Sequence, residues 1–390
     1  MTVDTTQIKA ARVLTLSWGA FYLLFWLYRS AASAFGQLVI MRLTSIGDTV
    51  RYQTGDLYLT MHNLMAADID GVRTVGTYVA HSLGAIFFLA FGGDPIMINI
   101  GFQTVAFIGI VVLLQAAKPK HRRRLAFLLL LPGFTVWTSI ASKEAVVVFA
   151  LGIVCSYIVK MWYGEDRLRI WHIAAFVLLM YLKPHYGGAV GYLIAVSYAA
   201  RYLKQPATFA LGAGLLSLVA LYLVQDTMSE IVFAKVLPQF SGHGGTFIRT
   251  DFWETHGDVY LKAPQGMFLA FFGPSPVEAF TGKSLHLFSF LESLFILCAL
   301  LYFTFTGIGR LPAFTLIVGS FTTLWTLFPN YPLGVMNAGA AVRYRTGYII
   351  ILFVLATVIL SRESYHTWRQ GKSGRRISRA AIPTRALEAE

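Results

Sequence analysis

Asp48 opens the stretch Gly47-Asp-Thr-Val-Arg-Tyr52, which is followed by Gly55-Asp56. A carboxylate in such a setting can act as a general base on a sugar hydroxyl, provided that a charged or hydrogen-bonding neighbour fixes its orientation. If the residues after Asp48 are helical, Arg51 and Tyr52 stand three and four positions on and share its face. The simpler reading is that Asp48 caps a helix starting at Thr49. A second cluster, Ser142-Lys-Glu144, sets adjacent opposite charges between two apolar runs. Ionisable groups near a membrane core are expensive and mark a site by default. Glu144 is a candidate to bind a metal, to orient a cation, or to share acid–base duty with Asp48. Lys143 is a candidate to pair with an anionic leaving group. The alternative is a helix junction that simply reaches the aqueous boundary.

Two further clusters suit anion binding. Lys183-Pro-His-Tyr186 closes another pair of apolar runs. There Lys183 and His185 are candidate phosphate contacts, although a lone histidine is more often structural. Arg343-Tyr-Arg345 ends a turn that begins at Phe328. Arginine offers a planar fork that grips phosphate oxygens in pairs. A helix beginning near Thr346 would add exposed N–H donors for an anion. The competing reading is an interfacial belt, with the arginines meeting headgroups and Tyr344 and Tyr348 anchoring a helix.

A long polar stretch carries Ser241-Gly-His-Gly-Gly-Thr246, then Arg249, Asp251, Glu254, His256 and Asp258. Its glycines suit a lid over substrates. The spacing of its acids and histidine matches no closed metal site, so a solvated loop face is the plainer reading. Ala263–Gly273 is apolar enough to lie in the interface beside a lipid.

The elements that position these clusters are hydrophobic. Of 390 residues, 56% are hydrophobic and 13% charged, where soluble domains carry roughly 25% charge. The mean hydropathy is +0.61. This composition predicts an all-α polytopic membrane protein and excludes an ordinary soluble domain. Apolar runs occur at about 13–29, 75–92, 96–116, 125–141, 145–163, 170–183, 187–203, 208–224, 285–305, 311–329 and 346–361. Several approach or reach the ~20 residues that cross a ~30 Å hydrocarbon core. Ala32-Ser33-Ala34 after the first run permits a signal-peptide reading, but a retained helix fits the topology better. Cys155 and Cys298 both lie in apolar runs, so no disulfide framework is expected.

If all eleven runs cross from a cytoplasmic N-terminus, Lys118-Pro-Lys-His-Arg-Arg-Arg124 falls outside, against the retention of basic loops in the cytoplasm. Demoting 75–92, the most polar run, to a helix lying at the outer interface removes the conflict. About ten crossings remain. The cytoplasmic side then holds 20 of the 32 Lys and Arg and 6 of the 19 Asp and Glu. That asymmetry accounts for the net charge of +13 without nucleic acid as a partner. Residues 1–361 form one transmembrane domain, with outer loops at 30–95 and 225–284. Residues 362–390 read as a basic, disordered cytoplasmic tail. All four clusters lie on the outer side, where non-helical backbone must be covered by protein or water.

Over about residues 12–160 the chain resembles the GT-C superfamily of polyprenyl-phosphate-dependent glycosyltransferases, in particular the aminoarabinose transferase and protein mannosyltransferase group. In that group the first helix leads to a long outer loop with an acidic motif, often Asp-Glu followed by Arg-Tyr, and juxtamembrane helices that do not cross. Asp48-Thr-Val-Arg-Tyr52 is similar to it, with Thr49 in place of the second acid. The run ending at Phe91-Gly92 resembles the last juxtamembrane helix, and Ser142-Lys-Glu144 occupies the next outer turn, where the family has an acidic residue. The resemblance implies Asp48 as catalytic base and Glu144 as a second acid. It also implies a polyprenyl-linked sugar donor, a glycan or lipid acceptor, and a site facing the periplasm of a bacterial inner membrane. The missing second acid leaves the divalent metal of such enzymes open. A polysaccharide polymerase or ligase using polyprenyl-diphosphate-linked glycans suits the arginines and the long loop equally. A lipid-linked glycan flippase is the reading from a different class. It would favour charges or broken helices at the midplane and an internal repeat, and the sequence shows no repeat.

Overall fold

A computed structural model of the chain describes residues 17–43, 49–55, 71–165, 167–238, 249, 252–281, 284–308, 311–361 and 363–368. All regular elements among them are helical. Among the described residues six helices are long and apolar enough to cross a membrane: Trp18–Ile40, Pro95–Ala116, Lys143–Trp162, Pro206–Leu223, Leu285–Thr306 and Ala338–Ile359. Shorter apolar helices occupy Gly76–Phe91, Ile170–Leu182 and Ala313–Leu327. The chain is a helical, multi-pass membrane protein.

The first helix, α1 (Trp18–Phe35), runs on through a π-turn at Gly36–Ile40 to Leu43. The expected end at 29 is therefore too early, because helical backbone continues to Leu43. The polar residues that lowered the hydropathy there turn inward: Arg29 and Ser33 are fully buried. A short helix α2 (Thr49–Gln53) and the long α3 (Gly71–Phe91) follow. Then comes α4 (Pro95–Ala116), capped by Asp94, whose carboxylate accepts from Met97 N at 2.8 Å.

The expected run at 125–141 is not one helix. It resolves into α5 (Pro119–Leu129) and α6 (Pro132–Trp137), separated at Leu130–Leu131. Pro132 has no N–H to continue the ladder. Beyond α6 a non-helical turn at 138–142, almost wholly buried, leads into α7 (Lys143–Trp162). Helices α8 (Ile170–Leu182) and α9 (Pro184–Ala200) form a hairpin joined at Lys183. They are followed by α10 (Pro206–Leu223) and α11 (Gln225–Ile231).

The stretch expected as a long loop is largely helical among its described residues, with α12 (Asp258–Leu261), α13 (Ala263–Phe272) and α14 (Pro276–Thr281). Residues 239–248, which include the glycine-rich part, and Asp251 lie outside the described residues. The chain closes with α15 (Ser284–Ile308), α16 (Ala313–Leu327), α17 (Tyr331–Val335) and α18 (Ala338–Val354), the last continued by a π-turn to Ile359.

Burial sorts these helices. In α7 and α18 most residues are buried, whereas α10 and α15 leave Leu216, Tyr222, Leu291 and Phe295 exposed. Such apolar surface would not stay in water, and it suits contact with lipid. Helices α4 and α7 cross closely at Gly109 and Gly152. A Cβ on either would strike the other helix's backbone, so larger residues would force the helices apart. Helix α3 meets the Leu182 end of α8 at Gly76, and its Phe87 packs on Phe102 near the Pro95 end of α4. At the opposite end of α4, Arg122 of α5 donates to the last carbonyls, to Leu114 O at 2.7 Å, Gln115 O at 3.2 Å and Ala117 O at 3.1 Å, groups that a helix end leaves short of backbone partners.

Candidate functional site

Three of the four clusters meet. Ser142 caps α7, accepting from Ala145 N at 3.2 Å, and so places Lys143 and Glu144 in the first turn. Asn337 caps α18, accepting from Gly339 N and Ala340 N. This start at Ala338 corrects the expected start near Thr346. Arg343 and Arg345 lie inside the helix, so its N-terminal N–H groups are not the anion site. The gain is rigidity, because Arg343 now projects from a formed helix.

Arg343 Nη2 lies 3.4 Å from Glu144 Oε2, with the Glu144 side chain 3% exposed and that of Arg343 18%. Lys183, at the α8–α9 joint, holds its ammonium over the Tyr344 ring, 4.5 Å from the centroid. The charges of Arg343, Lys183 and Lys143 all act on the Glu144 carboxylate. Tyr186 donates from its hydroxyl to Tyr344 O at 3.2 Å and stacks edge-on against His185 and Tyr348. His185 stands in the first turn of α9, and its Nε2 has no hydrogen-bond partner among the described residues. Lys143, Glu144, Lys183, His185, Arg343 and Tyr344 therefore gather from three separate turns of the chain.

Arg345 does not join them. It is 1% exposed and donates to Glu292 Oε2 at 3.0 Å, to Phe271 O at 3.2 Å and to Ser293 Oγ. Two residues along a helix are about 200° apart, so Arg343 and Arg345 cannot both face one phosphate. The expected role of Arg345 as a phosphate contact is at odds with this placement.

Asp48 lies outside the described residues. Residues 49–55 pack against neighbouring elements. Helix α2 starts at Thr49, and Tyr52 is buried with its ring 4.8 Å from that of His81 and its carbonyl against Gly84. Gln53 Nε2 donates to Gln37 Oε1 and to Asn99 Oδ1, each at 2.9 Å. The same Asn99 oxygen accepts from Ala141 N at 2.8 Å. Helix α2 is thus pinned beside the turn that delivers Glu144. Arg51 is exposed while Tyr52 is buried, so the two do not share a face as the spacing suggested.

A divalent cation does not fit this set. Glu144 is one carboxylate among cations, and among the described residues no three metal-binding side chains gather. In the long loop, Asp258 accepts from Glu254 N at 2.8 Å and Thr255 N and pairs with Lys262 at 3.1 Å. Hydrogen bonds from Glu254 N and Lys262 hold its carboxyl down at about 2. It closes a turn.

The sequence reading missed several buried polar residues: Arg29, Asn99, Gln103, Glu278 and Glu292. Glu278 holds Arg249 in a two-pronged pair at 2.6 and 2.7 Å. Arg249 N donates to Met336 O at 2.9 Å, which ties the loop to the α17–α18 joint. For Arg29 and Glu292 the only signal was a charged residue at the end of, or inside, an apolar run.

Compared with family models, with curated proteins and with solved structures, the chain matches none.

Proposed function

We propose that the protein is a membrane glycosyltransferase of GT-C type, moving a sugar from a polyprenyl-(di)phosphate-linked donor to a glycan or lipid acceptor at the periplasmic face of a bacterial inner membrane. The observation that carries this reading is the convergence of Lys143, Lys183 and Arg343 around buried Glu144 at one end of α7, α9 and α18. Cations at that depth are costly unless an anion shares the site. A phosphate at the end of a lipid chain brings both the charge and the apolar tail such a place accepts.

In this reading about ten segments cross the membrane, the broken α5–α6 pair and the shorter helices among them. Helix α3 does not cross, in keeping with its contacts to the Leu182 end of α8 and the Pro95 end of α4. Asp48 takes the proton from the acceptor hydroxyl as its oxygen attacks the anomeric carbon. The phosphate leaves with the bonding electron pair, and Arg343, Lys183 and Lys143 stabilise the charge that develops on it. Glu144 orients Arg343, and Tyr344 holds Lys183 by its ring face.

The test is transfer of labelled sugar from a prenyl-phosphate donor by the purified protein in proteoliposomes. Asp48→Asn is expected to abolish transfer with donor binding retained. Full transfer by that variant would remove the base. A flippase is the second reading, favoured by the break between α5 and α6 inside an apolar run. It predicts movement of the prenyl-linked sugar across the bilayer without a new glycosidic bond.

A further inference from the structure

Helix α6 is six residues long and is held at each end by a buried charge from another helix. At its start, Gly133 N donates to Glu292 Oε1 of α15 at 2.7 Å, and the other oxygen of Glu292 holds Arg345 of α18. At its end, Arg29 of α1 donates from Nη2 to Thr138 O at 2.9 Å and Thr138 Oγ1 at 3.0 Å, and from Nε to Gln103 Oε1 at 3.3 Å. Ser33, one turn along α1, donates to Ser139 O at 2.6 Å.

The ends of this short helix reach both members of the ion pair in the proposed site. The turn that Arg29 holds runs directly into Lys143 and Glu144. The arginine that Glu292 holds is two residues from Arg343. Burial of Arg29 is complete, and among the described residues no carboxylate pairs with it. An isolated guanidinium inside a membrane protein is costly, and a neutral donor would satisfy a single carbonyl. A planar fork that grips a carbonyl, a hydroxyl and an amide together fixes the direction of the turn, which a neutral group does not.

We propose that Arg29 and Glu292 are positioning residues: they clamp α6 from both ends and so keep Glu144 in register with Arg343. The proposal rests on the transferase reading for its kinetic consequence, but the clamp also has a signature independent of activity. Three measurements on the full chain in proteoliposomes or detergent test it. They are steady-state transfer from a prenyl-phosphate sugar, binding of prenyl monophosphate by native mass spectrometry, and hydrogen–deuterium exchange.

Arg29→Gln and Glu292→Gln are each expected to lower kcat at least tenfold with KM within threefold of the parent. The double variant is expected to be little worse than the poorer single one, because both act on one helix. Arg29→Lys should recover part of kcat. In exchange, each single variant should loosen both the 138–145 segment and the 343–346 segment. Loosening confined to each variant's own end of α6, or full turnover in Arg29→Gln, would overturn the clamp. If Arg29→Gln does not fold, Thr138→Val removes only one acceptor and should show a weaker form of the same split; an unchanged kcat there would also overturn it. A parent protein that neither transfers sugar nor binds prenyl phosphate, with the two-ended loosening present, would sink the transferase reading and leave the clamp standing.

Discussion

At Glu144 a carboxylate 2% exposed sits at the start of a membrane-spanning helix, with Arg343 against it. A negative side chain in a helix's first turn is favourable in itself, so part of its role is structural. What sets it apart is that cations from three chain segments act on it. Removing Arg343 takes from the buried Glu144 carboxylate the cation 3.4 Å away and from the site one of its three positive charges. Arg343→Ala is therefore expected to weaken prenyl-phosphate binding at least tenfold and to lower the melting temperature. Arg343→Lys should keep most of the stability but lose the planar fork that an arginine offers a phosphate. Titrating prenyl phosphate into each variant checks both, and unchanged affinity in Arg343→Ala would remove that residue from the site.

Two residues outside the apolar runs, His121 in the basic first turn of α5 and Glu278 in α14, titrate in adjoining windows. Burial pushes the His121 imidazole down to about 4, against an ordinary value of 6.5. Its neutral ring lies 2.5 Å from the Tyr163 hydroxyl through Nδ1 and 3.3 Å from Ser361 Oγ through Nε2. The unfolded chain binds a proton at His121 that the folded protein refuses, so stability falls as pH drops from about 6.5 to about 4. For Glu278, burial raises the carboxyl, but hydrogen bonds from Arg249 and Ser275 outweigh it and hold the group below its ordinary 4.5. Its contribution is present above that value and fades as pH falls through the lower, folded one. Melting curves between pH 7 and pH 3 should show the first loss vanish in His121→Gln and the second in Glu278→Gln.

The helices show what apolar runs reveal and what they conceal. Runs near 96–116, 145–163, 208–224 and 285–305 match formed helices closely, because continuous hydrophobicity over that length admits little else. The run at 13–29 stopped too soon, since Ser30, Ser33 and Gly36 lower the hydropathy although Ser30 faces α4 and the other two face the 138–142 turn. Arg29, where that run stops, lies inside the helix. The run at 125–141 hid a break, because the carboxylate that accommodates it, Glu292, lies about 160 residues away. Among the site residues, Lys143, Glu144, Lys183 and Arg343 were legible because charge between apolar runs is rare. Arg345 was read with its neighbour because sequence adjacency conceals the rotation of a helix. At this scale Gly152→Leu is expected to separate α4 from α7 and to unfold the protein at far lower temperature, while Gly188→Ala, at a position open on all sides, should leave the melting temperature unchanged. Thermal unfolding of the two variants decides between a packing requirement and tolerance.

For the whole molecule, the arrangement rests on which ends of the helices share a compartment. The ends carrying Lys143, Lys183 and Arg343 also carry the α13–α14 region, while Lys118, with Glu363 3.2 Å away, marks the opposite end. The most direct measurement is photo-crosslinking with a prenyl phosphate that bears its reactive group beside the phosphate, followed by peptide mapping. Labels on the peptides containing Lys143–Glu144, Lys183–His185 and Arg343–Tyr344, competed away by unmodified prenyl phosphate, are the predicted result. Labels confined to the Lys118–Arg124 helix, or spread along the lipid-facing surfaces of α10 and α15, would contradict the account.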